Sequence, residues 1–191
     1  MPLELTTTDI FTKWLAFTEK KSVMECDFFN GKHEPVLDLF GEFSIERMLA
    51  FGEHASGSVI SFYSMVNSLL VDEVPVAWLD SEGSPCIVIS KNLREFLSVL
   101  PYGMGTLYSI ASVMENNLGE DNLLEKAKLR VNKSADILLS ESKERFINTD
   151  ILINWLSDNN IQVSNDPVKI VTEAHLQNSE LTTWLAENLK K

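Results

Sequence analysis

Two pairs of short apolar segments, each pair joined by a turn, constrain what this chain can fold into. Residues 47–52 and the segment SVISFYSM flank a turn at residues 55–57, and together they predict a β hairpin. The segments VPVAWL, at residues 74–79, and CIVIS flank the turn DSEG and predict a second hairpin. Pro75 has no amide hydrogen, so it belongs at the start of its strand or on a sheet edge. We therefore expect a small antiparallel or mixed sheet.

Two further segments in the first part of the chain have a recognisable period. Residues 7–20 predict an amphipathic helix, because Ile10, Trp14 and Phe17 recur at steps of three and four residues. Residues 36–43 (VLDLFGEF) alternate between two faces, one of which is apolar, and this period of two predicts another strand. The first part of the chain is therefore expected to combine helices with strands.

The period changes to that of a helix at residues 90–100, for which Ser90 is a candidate N-terminal cap. Gly103 lies in the turn that ends this helix, and beyond it the sequence has helical periods. We predict an α+β fold, in which residues 1–103 form a domain with a small sheet flanked by helices. Residues 104–191 are predicted to form a helical C-terminal extension that packs on this domain or on a partner.

The segments FGEHASGSVISFY and VPVAWLDSEGSPCIVISKNLREFLSVL resemble the SUKH superfamily, which includes many bacterial immunity proteins for secreted toxins and some eukaryotic regulators. The family's glycine-centred strand turn, its strand with an acidic turn and its helix correspond to Gly52–Tyr63, Pro75–Gly83 and Asn92–Leu97. The family's proline-containing unit before a helix and a clear Gly-Gly are absent, and the helical tail is additional. Over residues 35–103 the resemblance implies an α+β fold and a binding function, often the neutralisation of a toxin by direct contact.

The net charge of −12 argues against nucleic acid or an anionic membrane as a partner, because both need a basic surface. Residues 1–118 contain 16 acidic and 7 basic residues, whereas residues 119–191 contain 12 and 9. A cationic partner would therefore be attracted to the N-terminal part. The N-terminus does not have the pattern of a secretory signal, and no apolar run approaches the roughly 20 residues of a membrane helix. We therefore expect a cytoplasmic protein.

Lysine and arginine are absent from the 43 residues between Arg47 and Lys91, while carboxylates accumulate in the same interval. We expect these carboxylates to face outward and to pair with lysine or arginine side chains of a bound protein. The alternative is that they belong to solvated acidic loops without a function. The predicted partner-binding residues are Glu53, Asp72, Glu73, Asp80 and Glu82.

The residue patterns of common catalytic and metal sites do not occur in this sequence. The serines are not in the Gly-x-Ser-x-Gly pattern of a nucleophile elbow, and the glycines do not precede the lysine of a phosphate loop. His33, His54 and His175 lie in unlike contexts without metal-ligand spacing. Cys26 and Cys86 are expected to be reduced thiols, with a disulfide as the alternative. We therefore predict no catalytic residue, no cofactor and no metal.

Three hypotheses for the function follow. The first is a non-catalytic protein-binding module, such as an immunity protein that occludes the active site of a cationic toxin. The second is a structural or regulatory interaction protein that forms a homodimer through the apolar helix faces in residues 151–189. The third is an enzyme of an unrecognised kind. The sequence does not distinguish the partner or the oligomeric state, nor does it say whether the C-terminal helices form a separate domain.

Overall fold

Five antiparallel strands, among the residues that the structure describes, form one sheet in the sequential order β1-β2-β3-β4-β5. The two predicted hairpins are β2–β3 and β4–β5, and the α+β class is confirmed. In the computed structural model the described residues are 1–19, 21–66, 69–83, 86–116 and 122–188. The strands are β1 (Cys26–Lys32), β2 (Met48–His54), β3 (Val59–Tyr63), β4 (Val76–Leu79) and β5 (Cys86–Ser90).

Helices surround this sheet, and most of them follow it in the chain. Short 3-10 turns occur at Glu42–Glu46, Val71–Glu73 and Leu100–Tyr102. Within the described residues, no single helix is long and apolar enough to cross a membrane, although Leu93–Tyr102 and Met104–Met114 would together suffice if they were not bent by 110°. The helices are α1 (Asp9–Thr18), α2 (Glu34–Phe40), α3 (Leu93–Val99), α4 (Met104–Asn116), α5 (Leu123–Val131), α6 (Ala135–Arg145), α7 (Thr149–Asp158), α8 (Pro167–Gln177) and α9 (Glu180–Asn188).

Both faces of the sheet are covered by helices. Every residue of β3, β4 and β5 is buried, and the apolar residues on alternate positions belong to two different apolar clusters. One cluster contains Trp14 of α1 and Phe96 of α3. The other contains Val36 of α2, Ala174 of α8 and Leu181 of α9. The sheet is therefore the middle layer of the molecule.

The C-terminal helices pack on the sheet. Helix α8 lies along β5, and the Nζ of Lys91, which follows that strand, is 3.1 Å from the Oε2 of Glu173 in α8. One apolar cluster includes residues from Ile10 to Val171 and so includes both sides of Gly103. Ala174 of α8 and Leu181 of α9 are thus covered within the chain, whereas Leu176 of α8 is exposed. Whether residues 1–103 fold without the extension stays a prediction.

The strand predicted for residues 36–43 is wrong, because this segment forms helix α2. Pro35 occupies the first turn, where its missing amide hydrogen costs nothing. Val36 and Phe40 are buried together, at the spacing of four residues that places side chains on one helix face. Gly41, with a φ of 87°, ends the helix. A segment this short contains too few repeats to distinguish the two-residue period of a strand from the 3.6-residue period of a helix.

The predicted helix at residues 90–100 is present as α3, but its cap is Asn92 and not Ser90. Ser90 is the last residue of β5. The side chain of Asn92 accepts a hydrogen bond from the Glu95 amide at 2.9 Å, and the Glu95 carboxylate accepts one from the Lys91 amide at 3.0 Å. This reciprocal pair satisfies amide groups at the helix start that have no partner within the helix.

Gly103, between α3 and α4, is expected to tolerate alanine less well than Gly41 does. Both glycines have positive φ angles, 82° and 87°, which cost alanine about 1–3 kcal/mol. A Cβ at Gly103 would also lie 2.8 Å from the Phe146 ring, whereas a Cβ at Gly41 would meet nothing within 4 Å. In urea denaturation, Gly103→Ala should lower the free energy of unfolding by about 1–3 kcal/mol more than Gly41→Ala does. Equal losses would contradict this contact.

His175, in α8, is expected to make the stability depend on pH. It is 2% exposed, and burial lowers its pKa below the ordinary value of 6.5. As the pH falls through that value, the unfolded chain takes up a proton that the folded chain does not, so the free energy of unfolding decreases. Between about pH 7.5 and about pH 5.5, His175→Gln should lose less stability than the original chain. His33→Gln is the control, and an equally reduced loss in that variant would contradict the assignment.

Candidate functional site

The turns of the two hairpins lie side by side at one end of the sheet, which we call the hairpin end (residues 53–58 and 80–83). The hydroxyl of Ser81 donates a hydrogen bond to the carbonyl oxygen of Ser56 at 3.1 Å. The amide of Ser81 donates to the Oγ of Ser58 at 3.3 Å. Since β3 pairs with both β2 and β4, these bonds extend the strand pairing into the turns. The hairpin end is therefore a fixed surface.

Asp80 belongs to the interior of the hairpin end, and this corrects the expectation that it faces outward. Its side chain is 8% exposed. Its Oδ2 accepts a hydrogen bond from the Ser58 hydroxyl at 3.3 Å, and its Oδ1 accepts one from the Glu82 amide at 2.9 Å. An aspartate that binds the amide two residues ahead stabilises its own turn. Asp80 therefore shapes the hairpin end and is not available to a partner.

Three exposed carboxylates that have no basic partner among the described residues lie at this end of the sheet. Glu53 and Glu82 are exposed, as expected for carboxylates that face outward. Asp27 in β1 is also exposed, and it lies directly opposite Glu53 in the antiparallel pairing of β1 and β2. Asp27 has no local sequence signal that marks it for this surface, because its position beside Glu53 depends on the register of two strands separated by α2.

Asp72 and Glu73 lie at the opposite end of the sheet. They form the 3-10 turn that precedes β4, whereas Glu82 follows that strand. At about 3.3 Å per residue, β4 and its flanking residues separate the two groups by roughly 20 Å. Asp72 is half-buried and accepts a hydrogen bond from the Thr8 hydroxyl at 2.6 Å, while Glu73 is exposed. The five predicted residues therefore do not form one surface.

His54 and Glu25 connect the hairpin end to the C-terminal helices. The Oε2 of Glu25 is 3.5 Å from the Nε2 of His54 and 3.3 Å from the Nη2 of Arg145 in α6. The Nδ1 of His54 is 2.8 Å from the Oγ of Ser56. Glu25 holds this position with a φ of 63°, and its carbonyl oxygen accepts the Ala55 amide at 2.9 Å. The group thus ties β1, the β2–β3 turn and α6 together.

Glu25, His54 and Ser56 contact one another in the order carboxylate, imidazole, hydroxyl. The same order of groups activates a serine nucleophile in enzymes. The local geometry favours a structural role. The Ser56 amide donates to the same Nδ1 at 3.2 Å, as in a turn closed by its own side chain.

The cysteine side chains are buried, and the tryptophan side chains are buried or half-buried. Cys26 and Cys86 are buried thiols, and burial, together with the charges of neighbouring carboxylates, raises the pKa of Cys26. Among the described residues no group of three or more His, Cys, Asp or Glu could hold a metal ion. The tryptophans are buried (Trp14 and Trp78) or half-buried (Trp155 and Trp184).

Comparison with protein-family models, with curated proteins and with solved structures found no match to this chain. The resemblance of residues 35–103 to the SUKH superfamily therefore stays a prediction. The hairpin end is the candidate functional surface. Asp27, Glu53 and Glu82 are exposed there, and hydrogen bonds of Asp80 and the turn serines hold the turns together.

Replacement of Asp80 should reduce stability, whereas replacement of Glu82 should not. Asp80→Ala removes a buried acceptor from the Ser58 hydroxyl and the Glu82 amide, so we expect a loss of about 1–3 kcal/mol in the free energy of unfolding. Glu82→Ala, two residues away and exposed, should change it by less than about 0.5 kcal/mol. Chemical denaturation at neutral pH measures both. Similar values for the two variants would show that Asp80 has no structural role.

Proposed function

We propose that this chain is a non-catalytic protein-binding module that binds a cationic protein at its hairpin end. The partner class that fits best is a basic toxin domain, whose active site the bound module would occlude, as in an immunity protein. A cytoplasmic location is part of the same proposal. The partner's lysine and arginine side chains would pair with Glu53, Glu82 and Asp27, while Asp80 holds the two turns in place.

The observation that carries this proposal is the direct opposition of Asp27 and Glu53. Like charges in opposite positions of two strands destabilise a sheet. Within the part of the chain that the structure describes, Asp27 accepts a hydrogen bond from the Ser22 hydroxyl, and neither carboxylate has a basic partner. A bound cation from another protein would relieve the repulsion. An unfavourable pair of this kind is retained more readily where it contributes to binding.

The surrounding charge supports the same proposal. No lysine or arginine occurs between Arg47 and Lys91, and both hairpin turns lie within this interval. A surface of one sign accelerates the approach of a partner of opposite sign, by factors of about 10 to 1,000 at low salt. The hairpin end would therefore act first on the rate of association and then on the orientation of the complex.

The homodimer hypothesis gains no comparable support. It needs apolar faces in residues 151–189 that are free to meet a second copy. In the described part of this range, Leu152, Val171, Leu181 and Leu185 are buried within the single chain, and the exposed Ile151 and Leu176 lie on different helices. We therefore do not propose dimerisation through these helices.

Charge reversal at the hairpin end should slow the binding of a cationic partner. The assay is inhibition of a panel of basic nuclease domains from secreted toxins, with association rates measured by stopped flow at several salt concentrations. Glu53→Lys should reduce the association rate by about tenfold at low salt and weaken its salt dependence. Glu82→Lys should act in the same direction.

Glu73→Lys is the matched control, because it makes the same charge change at an exposed position on the opposite end of the sheet. It should leave association within about twofold of the original chain. If Glu73→Lys slowed association as much as Glu53→Lys does, the cause would be the change in net charge and not the loss of a carboxylate at the hairpin end. A chain that inhibited no member of the panel would argue against the immunity function.

A further inference from the structure

A cleft of about 420 Å³ lies between the first turn of α4, the last turn of α5 and helix α6. The side chains of Tyr102, Leu138 and Phe146 line it with apolar and aromatic surface. Thr106 and Ser109 contribute hydroxyl groups from α4. This volume lies in the range of sites for small molecules, and a few polar groups beside an apolar wall are typical of such sites.

Three basic side chains line this cleft, in a protein whose net charge is −12. They are Arg130 in α5, Lys133 after α5 and Arg145 in α6. Glu141 is the one carboxylate among the lining residues, so the lining has two net positive charges. The net charge of the residues that line this cleft is therefore opposite in sign to the net charge of the whole chain.

Contacts within the protein leave part of this positive charge uncompensated. The Nζ of Lys133 is 2.6 and 2.8 Å from the two carboxylate oxygens of Glu141. Arg145 shares Glu25, which lies outside the cleft, with His54. Arg130 is exposed and has no ion pair within the described residues. A ligand could therefore contact Arg130 without displacing a carboxylate.

Arg145 lies against the first turn of α4. Its Nη1 is 3.8 Å from the position that a Cβ would take at Gly105, and its guanidinium carbon is 4.9 Å from the centre of the Phe146 ring. A guanidinium beside the N-terminus of a helix is unfavourable, because that end carries partial positive charge. An anion in the cleft would interact favourably with the guanidinium of Arg145 and with the N-terminus of α4. A bound anion would therefore offset the unfavourable contact between these two positive groups.

We propose that this cleft binds a small organic phosphate. The phosphate group would lie among Arg130, Lys133 and Arg145, and the organic part would pack on Tyr102, Leu138 and Phe146. Arginine can offer two parallel N–H groups to phosphate oxygens. The lining has two net positive charges, and that of Arg145 is shared with Glu25 outside the cleft, so a phosphate dianion would balance both Arg130 and Arg145, whereas a carboxylate would balance only one. The site is separate from the hairpin end, and it does not depend on the function proposed for that surface.

The test measures the binding of phenyl phosphate to the full chain by isothermal titration calorimetry at about pH 7.5, where the phosphate is a dianion. We expect a dissociation constant below about 1 mM that increases with salt. Arg130→Gln should weaken binding by about tenfold, since it removes a charged hydrogen-bond donor. Lys133→Gln should weaken binding as well and serves as a second variant. Thermal unfolding monitored by circular dichroism verifies that each variant is folded.

Lys128→Gln is the matched control, because Lys128 is an exposed residue of α5 that does not line this cleft. It should change the affinity by less than about twofold. Equal weakening by Lys128→Gln and Arg130→Gln would overturn the proposal in favour of non-specific attraction. Absence of saturable binding up to about 10 mM would overturn it as well. Equal affinity for benzoate would exclude a phosphate site, and equal affinity for inorganic phosphate would exclude a role for the aromatic wall.

Discussion

Burial of both faces of the sheet is the constraint on which the rest of the structure depends. Antiparallel sheets commonly leave one face to solvent, but every residue of β3, β4 and β5 is buried. Helices α1 and α3 contribute to the cluster on one face, α2 and α9 to the cluster on the other, and α8 to both. Without α8 and α9, the apolar residues that β5 directs to the second face would be exposed to water, at a cost of about 25 cal/mol for each Å². The C-terminal helices therefore complete the core of the sheet.

The order of the strands then decides where the charged residues meet. In a sheet whose strands follow the order of the sequence, alternate connections lie at opposite ends. Asp72 and Glu82, ten positions apart in the sequence, are therefore at opposite ends of β4. Asp27 and Glu53 are separated by β1, α2 and part of β2, yet they are paired across two strands. Proximity along the sequence was thus a poor guide to the composition of the surface, whereas strand register determines it.

The sequence predicted the features that depend on local chemistry and missed those that depend on packing. Both hairpins follow from short apolar segments and from the turn residues between them, which act over a few positions. Helix α2 was missed because seven residues contain too few repeats to separate a period of two from one of 3.6. The burial of Asp80 depends on Ser58, 22 positions earlier, and the cleft between α4, α5 and α6 depends on three segments. Such contacts are set by the tertiary arrangement and have no local signature.

The distribution of charge has few consequences for stability. Six of the 16 basic residues lie between Lys126 and Arg145, whereas the hairpin turns contain none. Pairing exposed charges contributes about 0–1 kcal/mol each, so keeping the two signs apart costs the fold little. The separation concentrates opposite potentials on two surfaces, and each potential extends over about 8 Å at physiological salt. Arg145 lies between them, because it contacts Glu25 and also lines the basic cleft. Apolar burial therefore holds the structure together, and the distribution of charge contributes little to its stability.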